Sequence, residues 1–124
     1  MPVRVGAIVL FTSSLDATVS FYRAIGIDLA KETHDDDVPH FAAELDGCHF
    51  AVFPATGTSR SPGLRVPGCS FAGIAVESVR TSVESVRNLG APVLEDPTPY
   101  PWGIRAVVED PDGRPVEIFE PPPD

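Results

Sequence analysis

The stretch over residues 100–121, YPWGIRAVVEDPDGRPVEIFEP, decides the fold. It holds an apolar run over 104–108, a turn at Asp110, Pro111, Asp112 and Gly113, and a second run carried by Val116, Ile118 and Phe119. Proline suits the second position of a type I turn and glycine the left-handed position that follows, so Asp-Pro-Asp-Gly is suited to reverse the chain. A three-residue loop of that type, closed by a glycine bulge, pairs Val107 with Glu117 and Arg105 with Phe119. Cross-strand partners share a face. One face of the predicted hairpin therefore carries Arg105, Val107, Glu117 and Phe119, and the other Ala106, Val108, Val116 and Ile118. The second face is purely apolar and suited to pack on a helix. The first is mixed and suited to look into a cavity.

Outward from this hairpin, the same order of elements occurs twice. Residues 3–11 read as a strand. Ser13 and Ser14 are candidate caps of a helix that places Leu15, Val19, Tyr22 and Ile25 at near-helical spacing and stops at Gly26. A short strand is predicted over 28–33, an acidic turn over 34–39, and strands over 41–45 and 49–53 on either side of Asp46-Gly47, a hairpin turn. Residues 55–68 are rich in Gly, Pro, Ser and Thr and read as a linker. Beyond it follow a strand over 71–77, a cap at Ser78, a helix over 79–89 with Val79, Val83, Val86 and Leu89 on one face, a short strand over 93–95, and a proline-rich loop over 96–101. A constant offset lays Leu15, Val19 and Gly26 on Val79, Val83 and Gly90, and a slightly longer one lays Asp46 and Gly47 on Asp112 and Gly113. The chain thus reads as one α+β domain of two βαβββ modules, residues 1–54 and 69–121, joined by the linker, with curved sheets around a shared cavity.

Composition narrows the function. A length of 124 residues suffices for one domain. A net charge of −9 disfavours a nucleic-acid partner, whose phosphates call for Lys and Arg clusters, and favours a cationic ligand. No run approaches the ~20 apolar residues of a membrane span, and the start of the chain lacks a signal-peptide layout, so a cytosolic protein is expected. Cys48 and Cys69 make neither a disulfide framework nor a metal motif and read as reduced, small core residues. Asp35, Asp36 and Asp37 lack the spacing of a metal site and read as a solvated loop. No nucleophile with an adjacent base, phosphate-cradling loop or nucleotide fingerprint is present.

The repeated module, LDATVSFYRAIGI in the first helix and PWGIRAVVEDPDGRPVEIF at the end together resemble the vicinal oxygen chelate superfamily of glyoxalases, extradiol dioxygenases, fosfomycin-resistance enzymes and bleomycin-resistance proteins. The likeness spans the full chain. Enzymes of that superfamily hold a divalent metal with His and Glu side chains, and the resemblance puts those positions on Ala7, Ala51, Phe71 and Glu117. Three of the four carry no ligating atom, and a catalytic metal needs about three protein ligands. The chain departs here from the metal-dependent members. It is similar instead to the metal-free bleomycin-resistance branch in its Pro101, Trp102, Gly103 and Arg105, its turn and its acidity. That resemblance implies a homodimer that sequesters a small molecule without altering it and uses no cofactor. The alternative is a metal-dependent enzyme in which Glu117 recruits His49, which alternation puts on the face of Ala51 and Phe53.

The expected ligand-binding residues are Phe41, His49, Phe53, Phe71, Tyr100, Trp102, Arg105, Glu117 and Phe119. Strand alternation places Phe41, Phe53, Phe71 and Phe119 in the cavity, where they either line a pocket for an aromatic ligand or fill a collapsed core. Trp102 and Tyr100 stand at its rim as stacking surfaces or as plugs at the end of the sheet. Arg105 and Glu117 share a face and form either a structural ion pair, direct ligand contacts, or both. His40 alternates to the side opposite Phe41. With His34 in the acidic loop, it is expected to be structural or solvent-facing.

Overall fold

The computed structural model describes residues 5–33, 39–55 and 72–123. His34, the acidic run at 35–37, Cys69, Phe71 and the linker beyond Ala55 lie outside them. The chain runs β1 (Ala7–Thr12), α1 (Leu15–Ile25), β2 (Ala30–Glu32), β3 (His40–Leu45), β4 (Cys48–Pro54), β5 (Ala72–Ala75), α2 (Val79–Arg87), β6 (Val93–Tyr100), β7 (Gly103–Glu109) and β8 (Pro115–Glu120). Two four-stranded sheets result, ordered β1-β4-β3-β2 and β5-β8-β7-β6. Each begins with a parallel pair, β1 on β4 and β5 on β8, and continues antiparallel. The repeat read from the sequence is thus a repeat of topology.

The register of the closing hairpin is the expected one. Val107 pairs with Glu117, Arg105 with Phe119, and the apolar face pairs Val108 with Val116 and Ala106 with Ile118. Those four apolar residues are fully buried. Complete burial of a Val or Ile side chain contributes about 1.5–3 kcal/mol, which fixes this face against α2. On the other sheet Ile8, Leu10, Phe50 and Val52 cover α1. Val19, Tyr22 and Ile25 of α1 join Val79, Val83 and Val86 of α2 in one continuous core with both sheets. The helix-covered faces therefore share a core, and the opposite face of each sheet is directed away from it.

A polar seam joins the halves. The Tyr22 hydroxyl donates to Asp110 Oδ2 (2.8 Å), which also takes Arg114 Nη1 (2.7 Å), while the backbone N–H groups of Asp112 and Arg114 donate to Asp110 Oδ1 (2.9 and 3.0 Å). Arg114 Nη2 donates to the Phe11 carbonyl at the end of β1. Every atom of the buried Asp110 carboxylate is thereby satisfied, as a charge in a core requires. Burial, with Asp110 adding to it, pushes the Tyr22 phenol far above its ordinary range, so it stays a donor.

Asp112 Oδ1 accepts the Ser13 N–H (2.9 Å) and hydroxyl (2.7 Å). Ser14 occupies the N-cap position of α1 without a side-chain capping bond. Asp112, from the turn of the other half, brings its carboxylate beside that end of the helix by holding Ser13, the residue before the cap. Helix α2 is capped as expected, by the Ser78 hydroxyl accepting from Thr81 N–H.

Two expectations about elements are corrected. The proline-rich stretch expected as a loop over 96–101 is strand through Tyr100, pairing Thr98 with Arg105 and Pro99 with Ile104. Pro97 and Pro99 are tolerated because β6 is an edge strand with register shifts on both sides of Glu95, so ladder N–H groups are not demanded of them. Leu89, expected on the buried face of α2, lies beyond the helix end and is exposed. Among the described residues no helix is long and apolar enough to cross a membrane.

Candidate functional site

The core-averted face of the second sheet is built around Arg105 at the centre of β7. Its neighbours on that face follow from register: Phe119 is its partner on β8, Thr98 on β6, and Glu117 and Glu95 both face Val107 one step along. Arg105 Nε donates to Glu117 Oε2 (2.6 Å), and Nη1 donates to Glu95 Oε2. The other oxygen of Glu95 accepts the Tyr100 hydroxyl (2.8 Å). The hydrogen bond to Glu117, with Glu95 adding to it, raises the Arg105 guanidinium further above its usual range. The bond to Glu95 likewise raises the Tyr100 phenol. Both remain protonated donors across the physiological range, within a chain that runs Tyr100, Glu95, Arg105, Glu117.

Beside this chain stands an aromatic wall. Tyr100 and Trp102 stack with ring centroids 4.7 Å apart and planes 6° from parallel, and Trp102 leans on Phe119 at 5.7 Å and 36°. Trp102 is nonetheless 51% exposed, a large apolar surface on the rim of a polar cluster. Gly103 makes this approach possible. At φ 135 it adopts a backbone open to glycine, and a Cβ there would collide with the Glu120 carbonyl and the Phe119 ring.

The matching face of the first sheet carries His49, Ala51 and Phe53 on β4, with Ala7, Val9 and Phe11 beside them on β1. Phe53 packs on Phe11 at 6.1 Å and stacks flat on His40, with centroids 4.0 Å apart and planes at 10°. His40 is buried and lies 3.3 Å from Glu32. His49 Nδ1 is 2.6 Å from Glu44.

The structure thus brings Tyr100, Trp102, Arg105, Glu117 and Phe119 together on one sheet face, and His49 and Phe53 on the other. Phe41 belongs to neither. It pairs with Val52, so it shares the helix-covered face, where it packs against the core and the Arg23 guanidinium lies 5.3 Å over its ring. His40, one residue earlier, takes the place on the open face, and of its two expected roles the solvent-facing one is excluded by burial. Glu95 and Phe11 were not singled out in the sequence. Phe71 lies outside the described residues.

The donor set does not fit a metal ion. Ala7 and Ala51 offer no ligating atom, the Glu117 carboxylate is held by Arg105, and His49 sits on the other sheet against Glu44. No group of three His, Cys, Asp or Glu side chains among the described residues is arranged to ligate one. Clefts of about 450 and 970 Å³ lie elsewhere, one between α1 and residues 89–92, the other along β5 and past Cys48, and neither includes the Trp102 wall.

Comparison with known proteins agrees with this architecture. A model of the Glyoxalase/Bleomycin resistance protein/Dioxygenase superfamily matches residues 4–118. An uncharacterized protein of Mycolicibacterium smegmatis is 29% identical over 118 residues, 95% of this chain and 94% of that one. Among solved structures, hypothetical protein SA1046 from S. aureus superposes with a TM-score of 0.74 at 17% identity, over 97% of this chain and 95% of that one. TnmS3, an antibiotic binding protein from Streptomyces sp. CB03234, superposes with a TM-score of 0.69 at 19% identity, over 98% of both chains.

Proposed function

The chain belongs to the glyoxalase/bleomycin resistance protein/dioxygenase superfamily, and from that membership we propose that it is a metal-independent binding protein that sequesters an aromatic small molecule, an antibiotic or a metabolite, without transforming it. One observation carries this reading. Glu117, the residue at the remaining ligand position, is tied to Arg105 at 2.6 Å beside an exposed, pre-stacked Tyr100–Trp102 pair. A carboxylate held by a guanidinium is a poor metal ligand and a poor general base, whereas a rigid aromatic face over a polar cluster is a recognition surface for a planar ligand. The fold shared with a Streptomyces antibiotic binding protein is in keeping with that ligand class.

The working unit in this proposal is a homodimer. Because the helix-covered faces share one core, the open faces of a single chain do not close over each other, and Val9 and Trp102 are left about half exposed. A second copy supplies the missing wall.

Metal analysis of protein purified without chelator tests the reading. Ni, Zn, Fe and Mn are expected far below one equivalent. A stoichiometric ion that disappears in Glu117→Ala overturns it.

A further inference from the structure

We infer that Glu95 sets the charge selectivity of the Trp102 site, making it accept a planar aromatic cation and reject the corresponding anion. The inference rests on the binding reading above and concerns a residue that neither the repeat nor the family's ligand positions point to.

Glu95 reaches the cluster through an irregularity. Val93 pairs with Val108 and Glu95 with Val107, so Leu94 is an extra residue with no partner and bulges outward, exposed. The bulge moves Glu95 into step with the open face, where its carboxylate meets Arg105. Without Glu95, Arg105 and Glu117 would be a neutral pair with Nη1 available to a carboxylate, sulfonate or phosphate of a ligand. With it, two carboxylates share one guanidinium and the cluster carries one net negative charge. An anionic ligand must then displace a carboxylate from Arg105. A cation needs only to approach outward lone pairs of Glu95 and Glu117, each about 30% exposed, while its ring lies on Trp102. Among the described residues on this face, Arg105 is the one cation.

Trp102 is the sole tryptophan of the chain, so its fluorescence reports the site alone. Three probes of one tricyclic plane, an aminoacridinium cation, neutral acridone and an acridone sulfonate, are titrated against full-length protein. The cation is expected to quench Trp102 with at least a roughly tenfold lower Kd than the sulfonate, a difference of about 1.4 kcal/mol. Glu95→Gln should remove that preference in both directions, weakening the cation and strengthening the sulfonate as Arg105 is released. A merely structural role for Glu95 would weaken all three probes together. Arg105→Gln, which leaves two carboxylates without their guanidinium, should tighten the cation and abolish sulfonate binding, and it keeps the inference testable if Glu95→Gln fails to fold. Equal affinity for all three charges in the wild type overturns the inference and leaves the binding reading standing. Absence of quenching by every probe overturns both.

Discussion

At the scale of single residues, a step of one position decides which side chains lie on the open face of a sheet and which touch the core. Phe41 and His40 exchange the roles that strand alternation alone assigns them, and the exchange follows from the turn. Asp46 and Gly47 both sit in left-handed backbone (φ 51 and 84), a two-residue type I′ turn that pairs Leu45 with Cys48 and hence Phe41 with Val52. The Asp-Gly pair was legible in the sequence. Carried through the hairpin, its register would have sent Phe41 to the helix side, just as the register of the Asp110–Gly113 turn correctly sent Arg105 and Glu117 to the open face. The consequence is measurable. Phe41→Ala should lower folding stability by about 2 kcal/mol, less than a fully buried phenylalanine, and leave ligand affinity unchanged. Trp102→Ala should do the reverse, keeping the melting temperature near wild type while reducing affinity about tenfold or more, as the loss of a stacking surface demands. Thermal denaturation and ligand titration of the two variants side by side separate core from site.

At the scale of elements, the two hairpins and two helices were readable because turn chemistry and apolar periodicity agree there. Of the sixth strand only the start over 93–95 was readable, because Pro97 and Pro99 are loop signals that an irregular edge strand tolerates, and the chain of residues from Tyr100 through Glu95 to Arg105 was hidden with the rest. At the start of α1 the N-cap position of Ser14 was legible and the tertiary contact beside it was not. Ser13 and Ser14 are good local candidates, yet the carboxylate at that helix end comes from Asp112, far along the chain. Asp112→Ala should therefore cost about 1–2 kcal/mol although the residue lies in a turn. Its pH dependence has a definite sign. Burial opposes ionisation, but hydrogen bonds from Thr12 and Ser13 outweigh it and hold the Asp112 carboxyl below its ordinary value. A depressed carboxylate stabilises the fold fully above its unfolded pKa of about 4 and loses that contribution as pH falls through the folded value. Denaturant melts between pH 6 and pH 3 should show a steeper acid loss for wild type than for Asp112→Asn. Parallel slopes would show that the seam does not depend on this charge.

At the scale of the whole molecule, the repeated module and the closing hairpin carried a resemblance to the superfamily whose model the chain matches, and the topology was legible because both halves write it in shared periodicities and turns. The site was legible only in part. The sheet register placed Arg105, Glu117 and Phe119 on one face from the sequence, whereas the stacking of Tyr100 on Trp102 depends on the turn at Gly103 and the recruitment of Glu95 on a bulge that no regular pattern announces. One seam of Tyr22, Asp110, Arg114 and Asp112 and one core fix the two halves relative to each other, and in the proposed homodimer a second copy covers each open face. Light scattering on a sizing column should give the mass of a dimer, and a monomer at micromolar concentration would contradict the shared cleft. The most direct test is a thermal-shift screen of chelator-treated protein against polycyclic aromatic antibiotics. At least one compound should raise the melting temperature of wild type and fail to do so in Trp102→Ala. Stabilisation that appears only when a divalent metal is restored, or for no compound at all, would contradict metal-independent binding at this site.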